Sequence, residues 1–326
     1  MNSNQTGFNT PILFIIFNRL ETTRLVFEKI KEIRPKKLYI SCDGPRSYIN
    51  REIDIVIDVR KYVLSQIDWK CDVFTLFHDE NLGCGNSVSK AIKWFFSNEC
   101  NGIVLEDDCL PDINFFTYCE MGLKKYEFSS NVYMIAGFNP FGNSIESNSS
   151  FFSENPSVWG WATWSNRLLN YDFEIRQWPN NLFVKYLKDK FPLKIYEYYV
   201  QVFNDVSQKK IDTWDYQLTY LILSNNGLTL KPKSNLIKNI GTEGAHTISQ
   251  DHNHFVPYGN IVLNDHVFPE LFIPDLNEDD KFYERFNKKN INLFKTIKKI
   301  ILNKFKNVIK NFYFRYFTNK NFIKDK

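Results

Sequence analysis

Residues 102–111 read GIVLEDDCLP, an apolar run that ends on three consecutive carboxylates, Glu106, Asp107 and Asp108. Adjacent like charges at the end of a buried strand repel and raise one another's pKa, so a cation or hydrogen-bond donors must compensate them. Two carboxylates at a strand end can hold Mg²⁺ or Mn²⁺, hard ions that take oxygen ligands and leave positions open for a diphosphate. The same triplet can also be a solvated acidic turn that caps a helix starting near Pro111. The apolar run before it favours the buried strand.

Upstream of the triplet, the same pattern recurs. PILFIIF (11–17) is continuously apolar and is followed by Asn18-Arg19 and a helix-like segment, 21–33, with Leu25, Val26, Ile30 and Ile33 at helical spacing. KKLYISC then stops at Asp43-Gly44-Pro45, residues 51–67 have helical periodicity, and CDVFTLF (71–77) reads as a third strand. After HDENLGCGNS, residues 88–96 read as a helix leading into the strand at 103–105. Apolar strands alternating with amphipathic helices predict an α/β fold, a mostly parallel sheet covered on both faces. Ligands bind such sheets beyond the carboxyl ends of the strands, where Arg19, Asp43 and the acidic triplet fall. The second half predicts a strand at 132–136, an aromatic loop at SVWGWATW, helices near 182–206 and 214–224, and a strand at LTLKP.

Charge divides the 326 residues unevenly. Positions 285–326 hold 13 Lys and Arg against one acid, Asp325, a net of +12; residues 1–284 hold 28 basic and 36 acidic side chains, a net of −8. The reading is therefore a catalytic domain over 1–284 and a basic tail over 285–326. In the tail, Phe294, Ile297, Ile301, Phe305, Val308, Phe312 and Tyr316 recur every three or four positions with lysines elsewhere around the helix. That pattern suits an anionic membrane surface or the protein's own acidic body, and nothing points to nucleic-acid readout. Six cysteines without metal-site spacing and no secretory signal pattern predict reduced, mostly buried thiols in a cytoplasmic protein, peripheral at most on the cytoplasmic face of a membrane.

Four further motifs can carry chemistry. NLGCGNS (81–87) resembles a phosphate-cradling loop, with Gly83 and Gly85 permitting close approach before a helix N-terminus, but it equally fits an ordinary turn. IDTWDYQ spaces Asp212 and Asp215 three apart, suited to a general base and a helix cap. Trp159, Trp161 and Trp164 can form a platform for a sugar or can be core. His246, two residues after Gly244 in GTEGAHT, is either a ligand-contacting or a solvent-exposed loop histidine.

Taken in order, FNR, SCDGPR, EDD with PDINFF, VWGWATW, TWDYQ and KNIGTEGAHT resemble the GT-A fold nucleotide-diphospho-sugar glycosyltransferases, in particular the N-acetylglucosaminyltransferase I family and its bacterial relatives, over residues 11–256. The resemblance implies a Rossmann-like sheet and transfer of a sugar, such as an N-acetylhexosamine, from a nucleotide-diphosphate donor, UDP-linked for preference, to a hydroxyl of a glycan or lipid-linked acceptor, with inversion. It implies Asp108 and His246 as ligands of Mn²⁺ or Mg²⁺. Arg19, Asp43, Gly83, Gly85, Glu106 and Asp107 would line the donor, and Trp159, Gly160 and Trp161 the acceptor. Asp215 would be the base, with Asp212 its rival, because the chain has Asp215-Tyr216 where the relatives carry two adjacent acids. Work on a lipopolysaccharide-type acceptor would suit the tail. The alternatives are a sugar-nucleotide pyrophosphorylase, which needs a glycine-rich loop where this chain has FNRLETTR, and a non-catalytic membrane-surface scaffold.

Overall fold

The computed structural model describes residues 7–142, 146–241 and 256–284. The tail at 285–326 and His246 lie outside these residues. Strands and helices alternate through the first half: β1 (Ile12–Ile16), α1 (Leu20–Ile33), β2 (Lys37–Cys42), α2 (Glu52–Ser65), β3 (Asp72–Phe77), α3 (Cys84–Asn98) and β4 (Asn101–Glu106). There follow β5 (Cys109–Pro111), α4 (Asn114–Lys125), β6 (Val132–Ala136), β7 (Glu146–Ser147), β8 (Ser150–Ser153) and β9 (Trp161–Trp164). The remainder comprises α5 (Asn181–Lys190), α6 (Leu193–Ser207), α7 (Asp215–Ser224), β10 (Leu228–Pro232), β11 (Ile237–Asn239) and β12 (Asn260–Ile261). The chain divides into a unit ending at Asp275 and a second beginning at Leu276, whose described residues, 276–284, are helical.

The central sheet has eight strands in the order β3-β2-β1-β4-β9-β6-β10-β8, and the expected α/β class holds. β1, β2, β3 and β4 are mutually parallel, β10 is parallel to β6, and β9 and β8 run antiparallel to their neighbours. Alternate residues of β1 enter different cores, as the period of a strand requires. Ile12, Phe14 and Ile16 pack with Val26, Phe27 and Ile30 of α1 and Val56, Val59 and Val63 of α2, whereas Leu13 and Ile15 pack with Val88, Ala91, Ile92 and Phe95 of α3 and Leu218 and Leu221 of α7. Both faces being covered explains why these strands read as unbroken apolar runs. In register, Ile16 pairs with Cys42, Cys42 with Phe77, and Ile15 with Glu106. The chain therefore leaves four parallel strands along one line.

Two expectations change. SVWGWATW is not wholly a loop, because its last four residues form β9 between β4 and β6. Trp161 turns toward one core while Ala162 and Trp164 turn toward the other, and all are buried. The long helix at 182–206 is two helices. Pro192 lacks an N–H and excludes helical backbone from the residue before it, so Phe191 is extended and α6 starts afresh. The cysteines are all unpaired, as expected, but only Cys42, Cys109 and Cys119 are buried.

Candidate functional site

The loop after β1 is only Phe17, Asn18 and Arg19, because α1 begins at Leu20. Such a short connection places Arg19 directly over the end of β4. Its Nη1 donates to Asp108 Oδ2 at 2.8 Å and its Nη2 to Asp107 Oδ1, while Phe17 N donates to Asp107 Oδ2 at 3.2 Å. Asp107 is 2% exposed. Burial raises its pKa, and Arg19 partly opposes that rise. Burial also lowers the Arg19 pKa, but the two aspartates outweigh it and hold the guanidinium above its ordinary value. Glu106 is pushed well up, first by lost solvation and then by Asp108 and Asp107. One guanidinium thus pairs with two of the three carboxylates, and Glu106 feels it only at longer range.

Asp212 and Asp215 arrive at this cluster from the far end of the sequence. Asp215 is the first residue of α7 and its charge bears on Glu106. The Cys84 thiol, at the first position of α3, is pushed up to about 12 by lost solvation and then by Glu106, Asp212 and Asp215, with Arg19 pulling the other way. Five carboxylates therefore surround Cys84 and Arg19. Thr213 Oγ1 donates to Asp215 Oδ1, which fixes that carboxylate at the helix N-terminus. Tyr171, Tyr198 and Tyr216 stand near it: Tyr171 donates to Trp214 O at 3.1 Å, and the Tyr198 and Tyr216 hydroxyls are 2.7 Å apart.

The glycine loop does not receive an outside anion in the way its spelling suggests. Gly85 N donates to Asp212 Oδ1 at 2.9 Å, and a Cβ at Gly83 or Gly85 would come within 2.6 Å of an Asp212 carboxylate oxygen. Gly83 also has φ +81°, a conformation that favours glycine. The position at the N-terminus of α3 where a phosphate would lie is filled by the Asp212 carboxylate. Asp43 is likewise committed: Oδ1 accepts from Gly44 N at 2.8 Å and Leu82 N at 2.9 Å, and Oδ2 from Asn81 Nδ2 at 2.9 Å. Burial raises its pKa and these backbone donors oppose the rise. Asp43 ties the end of β2 to the loop after β3.

The expected acceptor residues separate. Trp161 is 1% exposed and stacks on Trp214 at 6.1 Å, so it is core and offers no platform. Gly160 is buried with φ +63°, and a Cβ there would meet Ile237 Cδ1 at 2.5 Å, so its smallness serves packing. Trp159 is half-buried against Phe138, with ring centroids 4.5 Å apart.

Several participants were not singled out in the sequence. Glu52 is buried, accepts from Asn18 Nδ2 at 2.8 Å and from Arg46 N at 2.6 Å, and holds the Arg46 side chain as well. Arg46 in turn lies over the Phe17 ring at 5.5 Å, which braces the loop that carries Arg19. A lone acid at the start of a helix gives no sequence signal of such a role. Gly241 passes so close that a Cβ would lie 2.5 Å from Asp108 Oδ2, and Ile240 N donates to Asp108 O at 2.8 Å.

Among the described residues no group of three or more His, Cys, Asp or Glu side chains converges as a ready metal site. The carboxylate excess around Arg19 nevertheless suits a hard divalent ion that keeps most of its sites for phosphate and water.

No family model and no curated protein matches the chain. Among solved structures, HddC from Yersinia pseudotuberculosis is similar at 14% identity over 52% of this chain and 86% of that one, with a TM-score of 0.28. A 4-diphosphocytidyl-2C-methyl-D-erythritol synthase from Anaerococcus prevotii is similar at 10% identity over 58% and 84%, also with a TM-score of 0.28. Likeness at this level bears on neither activity nor ligand.

Proposed function

We propose that the protein is a glycosyltransferase that uses a nucleotide-diphosphate sugar, and that Asp215 is its general base. The observation that carries this reading is the convergence of Glu106, Asp107 and Asp108 at the end of β4 with Asp215 at the start of α7, around one arginine. Asp215 is preferred to Asp212 because its charge bears on Glu106, whereas Asp212 Oδ1 accepts the Gly85 N–H at the N-terminus of α3. Asp215 keeps an oxygen beyond the one that Thr213 engages. It removes the proton from an acceptor hydroxyl as the new bond forms at the anomeric carbon; the bond from that carbon to phosphate breaks, and the nucleoside diphosphate leaves with the electron pair. Direct displacement assisted by one base gives inversion at the anomeric carbon.

Asp108 would hold Mn²⁺ or Mg²⁺ with the donor diphosphate, and His246, which lies outside the described residues, is the second ligand we propose. When bound, the ion supplies Lewis-acid stabilisation of charge on the leaving diphosphate. Arg19 orients Asp107 and Asp108 and adds positive charge at the same end of the sheet. Asp43 and Asn81 shape the loop wall toward the nucleotide. Trp159, half-buried beside Phe138, would contribute the aromatic surface on the acceptor side. The donor would be UDP-linked for preference and the acceptor a glycan or lipid-linked hydroxyl, met in the cytoplasm with the tail at the membrane surface.

The rival pyrophosphorylase reading meets a specific obstacle: the connection after β1 is three residues long and contains no glycine. Product analysis separates the two. Release of nucleoside diphosphate from a nucleotide sugar supports glycosyl transfer. Release of pyrophosphate from a nucleoside triphosphate and a sugar phosphate would replace it with nucleotidyl transfer, and neither product would leave the scaffold reading.

A further inference from the structure

The connection from β9 to α5, the start of α5 and the far end of α7 enclose a cleft of about 510 Å³. That volume falls within the roughly 300–1,000 Å³ of small-molecule sites. The cleft lies away from the carboxylate cluster. Asp215 opens α7, whereas Tyr220, Leu223 and Ser224, which line the cleft, belong to the second half of that helix. At about 1.5 Å per residue the two ends of α7 stand ~14 Å apart. None of the residues assigned above to donor, acceptor, base or ion lines the cleft.

Its floor is apolar and aromatic. Ile175, Phe183, Leu221 and Leu223 are buried, and Tyr186 and Tyr220 are half-buried. The Phe183 and Tyr186 rings lie 17° from parallel with centroids 5.9 Å apart, and Tyr220 stands across Phe183 at 85°. One wall is held by Asp172, whose Oδ1 accepts from Glu174 N at 3.2 Å and Oδ2 from Arg176 N at 2.9 Å. Between these two donors Ile175 has φ +41°, a conformation that strains a β-branched residue. The shape of the cleft is thus built by the fold.

Its rim is polar and neutral. Asn170, Gln177, Asn226 and the Tyr220 hydroxyl make no side-chain hydrogen bond among the described residues. Asn180 uses only Oδ1, which caps α5 by accepting from Leu182 N and Phe183 N, and Asn225 uses only Nδ2, which donates to Leu221 O at 2.8 Å. Unused donors and acceptors therefore accompany the ring faces.

This lining selects among ligands. No Lys, Arg or His is among the described residues that line the cleft, and its one charge, Asp172, repels a phosphate or a carboxylate. The nearby Lys190, which donates to the Tyr186 hydroxyl, is paired with Glu154 at 2.7 Å. An acyl chain would set the amides against hydrocarbon without partners. A pyranose satisfies both features, because its C–H face packs on an aromatic ring while its hydroxyls donate and accept as the amides do. We infer that this cleft is a carbohydrate-binding site separate from the carboxylate cluster, and that it takes a neutral oligosaccharide without nucleotide or metal. The binding stands whether or not the protein transfers sugar; under the transferase reading the cleft would hold a distal stretch of the acceptor.

Titration calorimetry and saturation-transfer NMR of the full chain test it, with neutral tetrasaccharides of glucose, galactose, mannose and N-acetylglucosamine and no nucleotide sugar or metal present. At least one of them is expected to bind. A triple variant, Asn170→Ala with Gln177→Ala and Tyr220→Phe, removes polar groups that make no hydrogen bond among the described residues. It should keep the unfolding midpoint in urea and weaken binding about tenfold or more. Asp215→Asn should bind as the wild type does. Binding of none of the tetrasaccharides overturns the proposal. So does binding that survives the triple variant or disappears in Asp215→Asn, either of which places the sugar elsewhere, and so does a preference for carboxylated or sulfated oligosaccharides. Intact binding in a protein that releases no nucleoside diphosphate from any donor would remove the transferase reading alone.

Discussion

Asp212 and Asp215 stand three positions apart, yet their surroundings give them different work. Asp212 meets the backbone of the glycine loop and is fixed there, whereas Asp215 sits at a helix start facing Glu106. Asp215→Asn is expected to lower kcat by about 10²–10⁴-fold, the usual reach of a general base, while leaving donor binding within a few-fold. Steady-state kinetics with a competent donor measures this; an unchanged kcat removes Asp215 from the role. Asp212→Ala leaves the Gly85 N–H without its acceptor and is expected to cost about 1–3 kcal/mol in denaturant unfolding. Asp212→Asn keeps an acceptor oxygen and should recover much of that stability. A kinetic collapse in Asp212→Asn with unchanged folding would return Asp212 to the contest.

At the scale of elements, the parallel half was readable because buried strands and amphipathic helices alternate cleanly from Ile12 to Glu106. β9 was not, since the tryptophans of VWGWATW fit a binding loop as well as a central strand until their neighbours β4 and β6 are known. The site was legible in the same uneven way. The acidic triplet announces itself locally, but what Asp212, Asp43 and Gly160 touch lies far along the chain, in contacts that spacing does not encode. Gly160→Ala is expected to destabilise the protein by at least about 1 kcal/mol, because it strains a positive φ and drives a methyl into Ile237 of β11. A midpoint unchanged in urea would contradict that packing.

The junction of β8 with the segment before Phe268 also carries a pH dependence. His266 Nε2 lies 2.7 Å from Ser150 Oγ, and burial lowers its pKa from the ordinary 6.5. The unfolded chain therefore binds a proton first as pH falls, so the contribution of this residue is full above about 6.5 and is lost progressively below it. Chemical denaturation at mildly acidic and neutral pH should show wild type losing stability on acidification and His266→Gln losing less. His78, lowered by burial in the same way, retains its share in that variant. Equal slopes for the two proteins would count against the assignment.

Across the whole molecule, charge divides into a net of −8 over residues 1–284 and +12 over residues 285–326. Among the described residues no helix is long and apolar enough to cross a membrane. A chain ending at 284 is expected to lose binding to anionic vesicles that the full chain retains at low salt, as its +12 of tail charge departs. Equal vesicle binding by the two would assign the tail another purpose. Part of the body's net of −8 lies where Arg19 pairs with Asp107 and Asp108 and Glu106 stands alongside. The most direct test of the proposed site is thermal stability across a panel of nucleotide-diphosphate sugars, with and without Mn²⁺, for wild type and Asp108→Ala. The prediction is an upward shift in Tm with one class of donor that requires the ion and disappears in the variant. Shifts that persist in Asp108→Ala, or that ignore the ion, would contradict it.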